Sequence, residues 1–116
     1  MATKNRKVKV NAAQLTQAIS GGLDYETVAA SQTDQVLGAT GALGDYLECL
    51  LCVVSTAATS GVYIQDGTDT AILVLPDNVG PGVGTYTVPI GLQSRTGAWS
   101  ITTGAGVSVL ASGLFA

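Results

Sequence analysis

The amino-acid sequence predicts an all-β fold, an antiparallel β-sandwich that is jelly-roll-like, and three observations support this prediction. From residue 34 onward, short apolar stretches separated by turn residues recur roughly every ten residues, a spacing typical of sandwiches and barrels. The chain of 116 residues contains 15 glycines, as expected where turns join many short strands. The densest apolar stretch, GDYLECLLCVVS at 44–55, alternates like a strand and has turn residues on both sides.

The stretch 44–55 is the predicted central strand, because side chains alternate between two faces of a strand and both faces are apolar here. One face holds Leu47, Cys49, Leu51 and Val53, and the other holds Tyr46, Leu50, Cys52 and Val54. Such a strand lies inside a packed sheet, or a second subunit covers one of its faces. We place Leu51 in the core and expect Leu51→Asp to unfold the domain. A short buried helix is the alternative, and the two adjacent valines favour the strand.

The first 33 residues are predicted to form a basic arm that anchors the protein. Four of the five basic residues lie in the first nine positions, whereas all eight acidic residues lie from Asp24 onward. This asymmetry indicates an arm that binds an acidic partner or nucleic acid, with a solvated terminus as the alternative. The residues predicted to bind the partner are Lys4, Arg6, Lys7, Val8, Lys9, Val10, Leu15 and Ile19.

Three segments make up this arm. Residues 7–10 alternate between lysine and valine, a pattern that suits an edge strand added to a neighbour's sheet. A short helix is predicted over 12–20, because Asn11 can cap its start and two glycines follow its end. Residues 23–33 are interpreted as a linker with weak strand character.

The sandwich is predicted to span residues 34–116. Its strands, in order, are 35–38, 44–55, 62–65, 70–75, 85–92, 99–103 and 107–111. An Asp66-Gly67 turn joins the third and fourth strands in a hairpin. Pro89 has no backbone N–H, so its strand lies at an edge or is bulged. Trp99 and Ile101 alternate with polar residues and are predicted to point inward.

The composition predicts an assembly. Only 11% of the residues are charged while 47% are hydrophobic, whereas about a quarter to a third of a soluble surface is normally charged. We therefore expect a homo-oligomer, with a trimer favoured, whose interface includes Leu114 and Phe115. No apolar run approaches the roughly 18 residues that span a bilayer, and no signal-peptide core follows the basic start. We therefore expect no membrane partner and synthesis in a cytoplasm.

The residues available for chemistry argue against an enzyme. The chain has no histidine, which excludes Ser-His-Asp triads, Cys-His dyads and histidine-bearing metal sites. Cys49 and Cys52 have C-x-x-C spacing, but on a strand they point to opposite faces, so we predict buried thiols, with an intersubunit disulfide as the alternative. Asp66 and Asp69 suit a hairpin tip better than a calcium site. We predict no catalytic residue, no metal and no cofactor.

Phosphate and nucleic-acid binding are not expected of the sandwich either. The glycine-rich segments 38–44 and 80–84 lack the Lys-Ser/Thr pair of a phosphate-binding loop, so we interpret both as turns. Platforms for single-stranded nucleic acid interleave aromatic and basic residues, and the sandwich region contains Arg95 as its one basic residue. Any nucleic-acid contact would therefore belong to the arm.

Several segments follow one another in a characteristic order: SQTDQVLG at 31–38, GDYL at 44–47, the Asp-Gly turn, PIGLxSxxGAW at 89–99, and VSV at 107–109. In this order of strands and turns, residues 29–116 resemble a group of small structural proteins encoded among the head genes of tailed bacteriophages. Members of such groups are capsid decoration (cement) proteins or head-anchored parts of fibres, and they are commonly trimeric.

The resemblance implies a virion structural protein, most directly a decoration protein that stabilises the capsid. The first 28 residues lie outside the resemblance, so the role of the arm rests on its charge and composition. From these we expect the arm to bind the major capsid protein and the sandwich to face outward from the head. A tail, baseplate or fibre component and a carbohydrate-binding β module are the alternatives. Sugar binding would require exposed aromatic side chains, and Trp99 and the tyrosines are the candidates.

Overall fold

A computed structural model describes residues 22–56, 61–76 and 82–116 of the chain. In these ranges the strands are β1 (Asp24–Val28), β2 (Gln35–Val36), β3 (Tyr46–Val54), β4 (Val62–Asp66), β5 (Ile72–Leu75), β6 (Gly84–Gln93), β7 (Trp99–Thr103) and β8 (Val107–Leu114). None of the described residues belongs to a helix long and apolar enough to cross a membrane. The helix predicted over 12–20 and the edge strand predicted in the arm lie outside the described residues.

The strands form two four-stranded sheets in which every pair is antiparallel. Sheet A has the order β1-β8-β3-β6, and sheet B has the order β2-β7-β4-β5. The pairing is nested: the first strand pairs with the eighth, the second with the seventh, the third with the sixth and the fourth with the fifth. The chain therefore changes sheet at every connection except the β4–β5 hairpin. The prediction of an antiparallel β-sandwich is confirmed.

Strand β3 is an inner strand of sheet A, between β8 and β6, as its two apolar faces predict. A bulge between Leu47 and Cys49 changes which side chains share a face. Leu47 is fully buried with Leu50 and Cys52, while Leu51 is half-buried on the opposite side. The predicted core position of Leu51, on one face with Leu47, is therefore wrong, because the irregularity shifts the alternation by one residue.

The core lies between the two sheets, and both contribute to it. Trp99 and Ile101 of β7 are 3% and 0% exposed, so their predicted inward orientation is confirmed. Tyr86, Val88 and Ile90 of β6 pack against the same core from the edge of sheet A. The buried aliphatic side chains, each contributing roughly 1.5–3 kcal/mol, include Val28, Leu50, Val54, Val107 and Val109 of sheet A and Val62 and Ile64 of sheet B.

Strand β1 lies in the stretch 23–33, which is interpreted from the sequence as a linker with weak strand character. All five of its residues pair with β8, and Val28 is fully buried. The weak strand character is confirmed here, but the linker interpretation is wrong for β1. The polar Glu26 interrupts the apolar alternation expected of a strand in β1. In the fold its carboxylate accepts hydrogen bonds from the Gly38 backbone N–H at 2.7 Å and from Gln35 Nε2 at 3.0 Å. These bonds hold β1 against β2 and the loop that follows it.

Edge and turn chemistry follow the predictions. Pro89 lies in β6, an edge strand of sheet A. The Asp66-Gly67 turn joins β4 and β5 in a hairpin, and β5 ends directly before Pro76. Gly67 has φ of +57°, and a Cβ there would lie 2.6 Å from the backbone nitrogen of Gly97. A side chain at this position would strain the backbone and push away the β6–β7 loop.

Gly113 of β8 marks a close approach of β8 to β3 beside the bulge. A Cβ at Gly113 would overlap the carbonyl oxygen of Tyr46 and lie 2.8 Å from a ring carbon of Phe115. We expect Gly113→Ala to lower the free energy of unfolding by roughly 1–3 kcal/mol, because overpacking forces backbone shifts. Gly82→Ala is the matched control, since nothing lies within 4 Å of its added Cβ. Thermal unfolding followed by circular dichroism measures the effect, and equal melting temperatures for the two variants would contradict the close packing.

Candidate assembly surface

The side of sheet A that faces away from sheet B carries three rows of uncharged residues, which together are called the outer face. The strand register aligns each row across the sheet. The rows are Tyr25, Ser112, Cys49 and Pro89; Thr27, Leu110, Leu51 and Thr87; and Ser108, Val53 and Thr85. None of these residues is Asp, Glu, Lys or Arg. The nearby Glu48 lies in the bulge beyond the rows, and its carboxylate accepts a hydrogen bond from the Tyr46 hydroxyl.

The centre of the outer face is apolar. Leu51 and Leu110 lie directly opposite each other on neighbouring strands. Val53, two residues further along β3, is 41% exposed. Threonine and serine hydroxyls surround this centre on β1, β6 and β8. An apolar centre with a polar rim is the usual composition of a protein–protein interface.

An open groove of about 350 Å³ adjoins this apolar centre. Residues on its walls include Thr27 and Ala29 on the β1 side and Leu51, Val53 and Leu110 on the other side. Small-molecule sites normally add a few convergent polar groups to an apolar pocket. This groove is lined mainly by apolar atoms, so its chemistry suits apolar side chains from a macromolecular partner.

The two residues predicted as an oligomer interface are covered within the chain itself. Leu114 is 7% exposed, and Phe115 packs partly buried against the core. The following residue, Ala116, accepts hydrogen bonds at its carbonyl oxygen from the backbone N–H groups of Thr40 and Gly41, both at 3.2 Å. Packing inside one subunit therefore explains the apolar character of Leu114 and Phe115 without a partner.

A buried carboxylate connects this end of the chain to the loop before β3. Asp45 is 1% exposed, and its side chain accepts hydrogen bonds from the backbone N–H groups of Ala42 at 3.2 Å and Ala116 at 3.1 Å. Its carbonyl oxygen accepts from the Trp99 indole N–H at 3.0 Å and from the Ser94 backbone N–H at 2.9 Å. Asp45 therefore holds three separate segments together at one end of the sandwich.

The second aspartate with a structural role is Asp66 at the hairpin. Its carboxylate accepts hydrogen bonds from the backbone N–H groups of Arg95 at 2.9 Å and Thr96 at 3.1 Å. Asp66 thus ties the β4–β5 hairpin to the β6–β7 loop, so its oxygens already serve a structural purpose. Across the three described ranges, no three acidic or cysteine side chains are grouped to hold a metal ion.

These two aspartates have pKa shifts of opposite sign. Burial raises the pKa of Asp45, and the hydrogen bonds from Ala116 and Ala42 offset this only in part. Burial also acts to raise the pKa of Asp66, but the hydrogen bonds from Thr96 and Arg95 outweigh it and lower that pKa. Asp45 is therefore stabilised in its protonated form, and Asp66 in its ionised form.

Cys49 and Cys52 point to opposite sides of β3, as predicted. Cys52 is fully buried in the core, Cys49 is half-buried in the outer face, and both are free thiols. Burial, with a smaller contribution from Cys49, raises the pKa of Cys52 to about 11. The predicted burial is confirmed for Cys52, while Cys49 lies on a surface that a second chain can reach.

The predicted partner-binding residues of the arm, from Lys4 to Ile19, all lie outside the described residues, so their role stays a prediction. In the described ranges the single basic residue is Arg95. Trp99, considered as a platform for sugar, is buried, and its indole N–H is donated to the Asp45 carbonyl. It therefore presents no exposed ring face to a sugar.

Sequence reasoning did not identify the outer face as one surface. Its centre joins Leu51 to Leu110, which are distant in sequence and meet only through the register of β3 with β8. The available signal was the apolar character of both faces of β3, which already raised a covering subunit as one explanation.

Comparison of the chain with protein-family models, with curated proteins and with solved structures finds no match.

The opposite pKa shifts predict opposite pH dependences of stability. Because the folded state raises the pKa of Asp45, this residue contributes most at low pH, and its contribution falls as pH rises from the ordinary value of 3.8 through the raised pKa. Because the folded state lowers the pKa of Asp66, its contribution is present above 3.8 and is lost as pH falls through the lowered pKa.

Asp45→Asn and Asp66→Asn serve as controls for each other. Relative to the wild type, Asp45→Asn should gain free energy of unfolding as pH rises from acid to neutral, and Asp66→Asn should lose it. Urea unfolding at a series of pH values measures both differences. Parallel pH profiles for the two variants would contradict the assigned shifts.

The two thiols should differ in reactivity. In Cys49→Ser, which leaves Cys52 as the single thiol, we expect almost no alkylation by iodoacetamide at about pH 8 while the protein is folded, because the thiolate is the reacting species. Unfolding in urea should restore the reaction. Cys52→Ser is the matched variant and should react when folded in dilute solution. Rapid labelling of folded Cys49→Ser would contradict the burial of Cys52.

Proposed function

We propose that the chain is a virion structural protein, a capsid decoration (cement) protein that binds the outside of an assembled bacteriophage head. The nested pairing of the eight strands carries this proposal. It supports classifying the sandwich as a jelly roll, an architecture that recurs in viral capsid and lectin domains. Fold alone does not determine function, and the resemblance of segments 31–38 and 89–99 to phage head proteins supports the same conclusion.

The basic residues are unevenly distributed between the arm and the sandwich. Of the five basic residues, four lie in the first nine positions, and the fifth is Arg95 in the sandwich. An acidic patch on a capsid shell would therefore attract the basic arm and repel the acidic sandwich. We assign the contact with the major capsid protein to the part of the arm that precedes β1, because β1 itself belongs to sheet A. We place the sandwich on the outside of the head.

The arm combines two kinds of contact. Val8 and Val10 would pair with a strand of the shell through main-chain hydrogen bonds, while Leu15 and Ile19 fill an apolar groove. The lysines and Arg6 add attraction that salt screens, whereas the apolar burial is not screened. Binding should therefore weaken only in part as salt is raised. An oligomer is favoured because several arms on one body convert weak contacts into stable attachment and so stabilise the capsid.

Localisation in purified particles tests the assignment to the head. A gold or fluorescent label on the sandwich should appear over the capsid surface in electron or light microscopy. A label confined to the tail or baseplate, or absent from particles, would overturn the proposed position.

Neutralising the arm tests the anchor in the full chain. The variant Lys4→Gln, Arg6→Gln, Lys7→Gln, Lys9→Gln should bind particles roughly tenfold more weakly or worse, since each surface ion pair contributes up to ~1 kcal/mol. Arg95→Gln is the matched control and should bind like the wild type. Co-sedimentation with undecorated particles at two salt concentrations measures both variants. Unchanged binding by the neutralised arm would move the anchor to the sandwich.

A further inference from the structure

We propose that a second copy of this chain covers the outer face of sheet A, so that the protein associates with itself through Leu51, Val53 and Leu110. The proposal concerns contacts between copies and does not depend on attachment to a capsid. Purified protein alone therefore tests it, and its failure would leave the proposed function untouched.

The distribution of charge selects a second copy as the partner. The acidic residues in the described ranges are Asp24, Glu26, Asp34, Asp45, Glu48, Asp66 and Asp69, and Arg95 is the single basic one. None of them lies in the three rows of the outer face. Two identical acidic surfaces repel each other, whereas two identical uncharged faces meet without burying or opposing a charge. The outer face therefore lets two copies of this chain meet without opposing charges.

Other partners fit this face less well. A shell protein recognised through charge would bind where this chain carries charge, and the outer face carries none in its rows. A sugar would need convergent polar groups around an exposed aromatic ring. Tyr25 in the first row is 68% exposed, but it does not line the groove, whose walls are mainly apolar. An uncharged, partly apolar sheet suits an equally uncharged, partly apolar sheet.

The geometry of the sheet suits face-to-face packing. Stacked sheets lie about 10 Å apart with interdigitating side chains. The Leu51, Val53 and Leu110 side chains of one copy would occupy the groove of about 350 Å³ on the other copy, and the groove of the first copy would be filled in return. Hydroxyls of Thr27 and Thr87 flank the centre and would remain at the wetter margin of the contact.

The size of the face sets the expected strength of association. Strands about 4.8 Å apart that rise about 3.3 Å per residue give three rows on four strands a footprint on the order of 400 Å² in projection. Stable interfaces bury about 800 Å² of accessible surface on each partner, so this contact lies at the small end. We therefore expect association that depends on concentration in the micromolar range.

The test uses the full chain and places one carboxylate at three positions. Leu51→Asp and Val53→Asp put the charge in the outer face, and each should raise the dissociation constant for self-association roughly thirtyfold or more, the effect typical of an interface hot spot. Leu73→Asp is the matched control, because Leu73 is 45% exposed in sheet B. It should associate like the wild type. Sedimentation velocity and light scattering over a concentration series measure all three variants.

Circular dichroism separates loss of association from loss of folding. Leu51→Asp should stay folded, whereas Leu50→Asp, one residue away but fully buried, should unfold. If Leu51→Asp also unfolds, Val53→Asp decides the outcome, since Val53 is already 41% exposed. A wild type that is monomeric at all concentrations, or a folded outer-face variant that associates like the wild type, would overturn the proposal.

Cys49 provides a measurement that needs no change in the outer face. Its thiol lies in the first row of that face, beside Ser112 and Pro89. Its alkylation rate in wild-type protein should fall severalfold as the protein concentration is raised through the association range. In Leu51→Asp the rate should not depend on concentration. A concentration-independent rate in the wild type would count against a second copy on this face.

Discussion

The structure depends on the position of β3, which pairs along both edges and has apolar side chains on both faces. Its pairing with β8 and β6 places three of the four strands of sheet A in register. One face packs against sheet B through Leu50, Cys52 and Val54, which are buried. The other face is not covered by the described part of the chain, because no described strand packs over it. The same strand therefore organises the core and creates the candidate assembly surface.

A single irregularity decides which residues serve which purpose. The bulge between Leu47 and Cys49 shifts the alternation, so Leu47 joins Leu50 in the core while Cys49 and Leu51 face outward. Without the bulge, the residues of β3 before Cys49 would point to the opposite face of the sheet. Bulges are built features of sheets rather than defects. Here the bulge allows both ends of β3 to contribute to the core, through Leu47 at one end and Val54 at the other.

The polar groups of this sandwich mainly rigidify its ends. Asp45 joins the loop before β3 to β7 and to Ala116, and Asp66 joins the hairpin to the β6–β7 loop. Each carboxylate accepts hydrogen bonds from two backbone N–H groups. These two carboxylates therefore act at loops and turns, and the three rows of the outer face contain no charged residue. In the proposed function, the basic arm supplies attraction to a shell while the neutral face supplies contacts between copies.

The sequence by itself determined the all-β class, the inner position of β3, the Asp66-Gly67 hairpin, the edge position of Pro89 and the opposite orientation of the two cysteines. These features follow from alternation and turn chemistry, which act over a few neighbouring residues. Only the tertiary structure decided that β1 is a strand, that Leu51 faces outward beside Leu110, and that Leu114 is buried within one chain. Each depends on register or hydrogen bonds between residues far apart in the chain, which no local pattern encodes.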